Sequence, residues 1–118
     1  MNGHEPGPQG LFERVYEAVG QVPHGRVTSY AAIAALVTGS RGAARMVGWA
    51  LHGLPASRLD EVPWWRVINS LGRISNSRHP GAAEEQRARL EAEGVRVDAS
   101  ARVDLSAYGW EAPDPPPG

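Results

Sequence analysis

The sequence predicts a mainly α fold with a minor β component: a helix-turn-helix followed by a small wing. Three observations carry that expectation. Apolar residues recur at helical spacing at Leu11, Val15 and Val19. Two short helical stretches, residues 30–36 and 41–52, are separated by a tight stop at Thr38-Gly39-Ser40. The run Val67-Ile68 is followed by a turn at Ser70-Leu71-Gly72-Arg73 and then Ile74, the pattern of a small hairpin.

The first helix, residues 11–19, places Phe12 and Tyr16 beside its apolar stripe and Glu13, Arg14 and Glu17 on the other side. Val22-Pro23-His24-Gly25-Arg26-Val27 reads as a turn between valines. Thr28 or Ser29 suits the N-cap of the helix at 30–36, and Ser40 that of the helix at 41–52, which Gly53 and Pro55 end. This second helix carries Gly42, Ala43, Ala44, Gly48 and Ala50. Small side chains there serve either close packing on a neighbouring helix or close approach to a phosphate backbone or groove. Residues 63–68 look extended, and successive side chains of an extended segment face opposite ways. One of the adjacent Trp64 and Trp65 is therefore expected to face a cleft or solvent. The pair is either a core tryptophan with a partly covered neighbour or a stacking platform for a flat ligand. Residues 81–93 are helical, with Gly94 as the C-terminal cap and Glu84, Glu85, Glu91 and Glu93 as a charged, solvated face. Val95, Val97, Val103 and Leu105 suggest two short strands or an extended tail, and residues 113–118 a polyproline-like end.

The 118 residues form one expected domain, with a core at about 11–110 and flexible ends at 1–9 and 112–118. The absence of cysteine excludes disulfides, thiolate metal ligands and a cysteine nucleophile. Four histidines are scattered singly and no phosphate-cradling loop is present, so neither a metal nor another cofactor is expected. No apolar run approaches the roughly 18 residues of a membrane helix, and residues 1–9 lack the apolar stretch of a signal peptide. A cytoplasmic monomer without membrane association is the expectation. All twelve basic residues are arginine. Seven of them fall in residues 24–81 against two acids, a net charge of +5 between flanks of −2 and −4. A basic middle is either a polyanion footprint or an even scatter over the surface.

Several motifs stand in a fixed order: Val22-Pro23, Gly25, Val27, Ser29-Tyr30, Ile33-Ala34, Ala43-Ala44-Arg45, Val47-Gly48, Pro63, Arg66-Val67-Ile68, Gly72 and Glu93-Gly94-Val95. Together they resemble the DNA-binding domain of O6-alkylguanine-DNA alkyltransferases, over nearly the whole chain from Leu11 to Trp110. Trp64 stands where that family carries its nucleophilic cysteine, the mark of the non-catalytic alkyltransferase-like proteins, and Leu105, Tyr108 and Trp110 fit their C-terminal ending. The resemblance implies a winged helix-turn-helix-like fold that enters the minor groove of duplex DNA with residues 41–51 and flips the target nucleotide. It implies that Tyr30 rotates a phosphate, that Arg45 fills the vacated stack, and that Ser40, Ala44, Gly48, Arg66 and Ser70 also belong to the DNA-binding set. The implied lesion pocket comprises Trp64, Trp65, Val67, Ser75, Ser77 and Arg78. Two departures stand out. Trp65 replaces the family's histidine, and the tyrosine of its lid loop falls at Ser77, beside Arg78. Glu93, the distal acid of the family's proton relay, is left with a structural role.

The implied function is a DNA-damage sensor, not an enzyme. Its partners would be double-stranded DNA containing O6-alkylguanine and the damage-recognition proteins of nucleotide excision repair. The alternatives are a winged-helix DNA-binding module without lesion preference and a repair enzyme using Glu93 and a water.

Overall fold

The computed structural model describes residues 8–75 and 79–112. It is mainly helical, with one two-stranded sheet. The chain forms helix α1 (Pro8–Gly20), strand β1 (Thr28–Ser29), helix α2 (Tyr30–Thr38), helix α3 (Ala44–His52), strand β2 (Val67–Ile68), helix α4 (Ala82–Ala92) and the short helix α5 (Leu105–Tyr108). Helix α1 begins three residues before its expected start, so Pro8 and Gln9 belong to it. The expectations for residues 1–7 and 113–118, and those for Ser77 and Arg78, lie outside the described residues.

Each cap has a physical cause. The Ser29 hydroxyl accepts a hydrogen bond from the Ala32 amide at 3.0 Å and opens α2. Gly39 closes α2 at φ +81°, a left-handed conformation that favours glycine. Ser40 accepts from the Gly42 amide at 3.1 Å, but it starts a 3₁₀ turn, Arg41–Ala43, and α3 proper begins only at Ala44. The expected helix from residue 41 is thus a tighter turn followed by a shorter helix.

α1, α2 and α3 pack on one another through Val15, Val19, Ile33, Ala34, Val47 and Ala50. The buried Tyr16 hydroxyl donates to the Ala50 carbonyl at 2.7 Å and ties α1 to α3. The sheet is not the expected hairpin. β2 pairs with β1 in parallel, Thr28 with Val67 and Ser29 with Ile68. The turn after β2 is held by Asn69, whose side-chain oxygen accepts from the amides of Leu71 and Arg73. Beyond it the chain pairs with residues 101–103, through the Arg73–Arg102 bridge and the Ile74 amide on the Ala101 carbonyl. The C-terminal segment returns to β1: Val27 donates to Tyr108 at 2.9 Å and accepts from Trp110 at 2.7 Å.

Residues 64–66 are a 3₁₀ turn and not an extended segment. Both tryptophans are consequently buried, Trp64 at 8% and Trp65 at 9% exposure. The expectation that one of them faces a cleft or solvent is overturned, because a turn does not send successive side chains to opposite faces. Their rings meet edge to face at 5.8 Å. Gln86 of α4, fully buried, donates to the Trp65 and Val67 carbonyls and fastens this turn to α4.

Candidate functional site

The small residues of α3 distinguish its two faces. Val47, Ala50 and Leu51 enter the core. Ala44, Arg45, Gly48, Trp49 and His52 line an open cavity of about 390 Å³ together with Tyr30 and Ser75. A Cβ built on Gly48 would meet nothing within 4 Å. The glycine is therefore not demanded by packing among the described residues, although glycine costs about 1 kcal/mol in a helix. The low profile of this face leaves room for something outside the protein. Arg45 is exposed and makes no ion pair among the described residues. Tyr30 is half-buried at the first turn of α2, and burial raises the pKa of its phenol, which stays protonated and able to donate.

A second concavity, of about 560 Å³, lies beyond the α2 N-terminus and is lined by Ser29, Arg41, Ser70 and Ser106, among others. Hydroxyls beside the Arg41 guanidinium, which has no ion pair among the described residues, suit an anionic oxygen. Ser40 is exposed and serves as a cap.

The structure thus gathers Tyr30, Ala44, Arg45, Gly48 and Ser75 about one cavity and sets Ser70 at the other. Trp64, Trp65 and Val67 do not line either; all three are buried in the core. Arg66, expected among the DNA contacts, is bound inside the protein. Its guanidinium grips Glu93 at 2.7–3.2 Å and donates to the Val22 carbonyl at 2.8 Å. Glu93 also departs from the solvated face expected of it, with a side chain 8% exposed. It accepts further bonds from the Trp65 indole at 2.8 Å and the Gly25 amide at 3.0 Å. Burial alone would raise the Glu93 pKa. The Arg66, Gly25 and Trp65 hydrogen bonds outweigh it and hold the carboxyl at about 2, ionised and fully engaged.

Sequence reasoning missed three residues. Trp49 and His52 follow Arg45 at helical spacing on α3, a signal present in the sequence. Arg89 covers both buried tryptophans, 5.6 Å from the Trp64 ring and 4.7 Å from the Trp65 ring, while paired with Asp60 and Glu85. Nothing in the sequence joins Arg89 to Trp64 and Trp65, 25 and 24 positions earlier.

The family model for the DNA-binding domain of 6-O-methylguanine DNA methyltransferase matches residues 10–95. The DNA base-flipping protein of Escherichia coli strain K12 is 42% identical over 98 residues, 83% of this chain and 72% of that protein. Alkyltransferase-like protein 1 of Schizosaccharomyces pombe is 38% identical over 105 residues, 86% of this chain and 94% of that one. The crystal structure of S. pombe Atl1 in complex with damaged DNA containing O6-carboxymethylguanine superposes with a TM-score of 0.77 at 37% identity, covering 86% of this chain and 95% of that one.

Proposed function

This chain belongs to the alkyltransferase-like family, and from that premise we propose that it is a non-enzymatic sensor of alkylated DNA. It binds duplex DNA, turns an O6-alkylguanine out of the stack and holds it without chemistry. The observation that carries this reading is the single cavity shared by Tyr30, Arg45 and Gly48. The buried Trp64 stands at the sequence position of the family's nucleophile and offers no thiol.

In this reading α3 lies in the minor groove, where Ala44 and Gly48 let the backbone approach closely. Tyr30 donates to a phosphate and turns it. Arg45 enters the stack, and its contacts offset the few kcal/mol of unstacking. Ser29, Arg41 and Ser70 hold the neighbouring phosphates. The Glu93 carboxylate is saturated by its donors, which leaves it no role as a general base. The held, distorted site is what nucleotide-excision-repair proteins would recognise.

The test is a titration of an O6-methylguanine duplex against the matched guanine duplex. Tighter binding of the modified duplex, with the intact protein mass and the methyl group on DNA both unchanged after incubation, is expected. Equal affinities would leave a plain DNA-binding module. A protein heavier by one methyl, or restored guanine, would make it an enzyme.

A further inference from the structure

One aromatic side chain stands out on the outer face of α3. Trp49 is 61% exposed, whereas Trp64 and Trp65 are buried and Trp110 is half-buried. Its neighbours on that face are Arg45 one turn before, Gly48 beside it and His52 at the helix end. Trp49 lines the same cavity as Tyr30 and Arg45. Gly48 offers no side chain to cover the ring.

The spacing sets what the indole can reach. Four residues of α-helix rise about 6 Å, more than one and less than two base-pair rises of roughly 3.4 Å. With the Arg45 guanidinium in one position of the stack, an indole at that separation is within reach of a neighbouring base step. Proteins that kink DNA from the minor groove do so with apolar side chains set against base steps. Arginine supplies charge to an opened stack, and a tryptophan supplies the apolar face that arginine lacks.

We propose that Trp49 is a second insertion residue, an aromatic wedge that unstacks the base step beside the one occupied by Arg45 and bends the duplex whether or not it carries a lesion. This inference rests on the reading that α3 docks in the minor groove. It assigns Trp49 to the duplex and not to the turned-out base.

The test uses the full chain with two variants, Trp49→Ala and Trp49→Phe, on modified and unmodified duplexes that carry 2-aminopurine one step from the lesion position. Because the ring is exposed, both variants should melt with the wild type. Trp49→Ala should bind both duplexes about tenfold or more weakly, the loss typical of one aromatic stacking contact. The ratio of the two affinities should stay unchanged, and the 2-aminopurine emission that reports unstacking should fall. Trp49→Phe should restore most of both effects. Wild-type affinity and emission for Trp49→Ala would overturn the proposal. So would a loss confined to the modified duplex, which would place Trp49 against the lesion base. A wild type that shows no lesion preference, yet loses affinity and 2-aminopurine emission through Trp49→Ala, would refute the sensor reading while supporting the wedge.

Discussion

Arg66 and Glu93 form a buried ion pair, Nη2 to Oε2 at 2.7 Å, that joins the tryptophan turn to the end of α4. Neither partner is free for a ligand. The guanidinium also reaches the Val22 carbonyl and the carboxylate the Gly25 amide, so one cluster fixes three separate stretches of chain.

This pair makes stability depend on acidity. The Glu93 pKa is about 2 in the folded protein against an ordinary 4.5. A lowered folded-state pKa gives stability that is complete above about pH 4.5 and lost as pH falls toward 2. Discounted for solvent screening, the difference corresponds to on the order of 1–3 kcal/mol. Melting followed from pH 7 to pH 2 should show this loss, and Glu93→Gln should melt lower at pH 7 with a shallower acid limb. Asp98 and Asp104, whose pKa values are also lowered by local hydrogen bonds, leave the variant a residual acid slope.

The two tryptophans should respond differently to loss of the indole nitrogen alone. Trp65 donates to the ionised Glu93, and a hydrogen bond to a charged group is worth roughly 1.5–3 kcal/mol. The buried Trp64 nitrogen finds no partner among the described residues. Trp65→Phe should therefore destabilise clearly, and Trp64→Phe much less. Trp64→Ala and Trp65→Ala should each cost about 3–5 kcal/mol, as for other buried aromatics. Denaturant titration of the four variants checks the order.

Gly48→Ala separates stability from binding. Its Cβ enters open space, so the helix gains up to about 1 kcal/mol of propensity. The same methyl stands where the groove must approach. Higher thermal stability combined with weaker duplex binding is expected; unchanged binding would mean that α3 does not contact DNA closely at this position.

Arg45→Ala should cost roughly 1.5–3 kcal/mol in affinity for alkylated duplex and leave the melting temperature in place. Arg45 is exposed and outside every ion pair among the described residues. Affinity should fall with rising salt, and the slope should flatten if Arg45 displaces a counterion. Measuring the slope for wild type and variant separates a phosphate contact from pure insertion into the stack.

Much of the helical frame was legible from local signals. The apolar stripe of α1, the Ser29 cap and the Gly39 stop each act within a few residues, so each is written in consecutive sequence. The basic segment and the order of motifs around Tyr30, Arg45 and Gly48 led to the side chains of one cavity. The errors share a cause. Pairing of β1 with β2, the burial of both tryptophans and the capture of Arg66 by Glu93 depend on segments tens of residues apart. Trp64-Trp65-Arg66 carries no local mark separating a 3₁₀ turn from an extended run. Trp49 was within reach, because its spacing from Arg45 is helical, but its exposure depends on which face of α3 the core claims.

The two bonds that Val27 shares with Tyr108 and Trp110 bear on biosynthesis. Val27 is fully buried, and its amide and carbonyl are satisfied by residues more than 80 positions downstream. During translation these groups emerge early and wait until residues 105–110 have been made. Closure of this edge is thus a late event in the folding of this domain, and a nascent chain stalled before Leu105 would expose a ragged strand to chaperones and proteases.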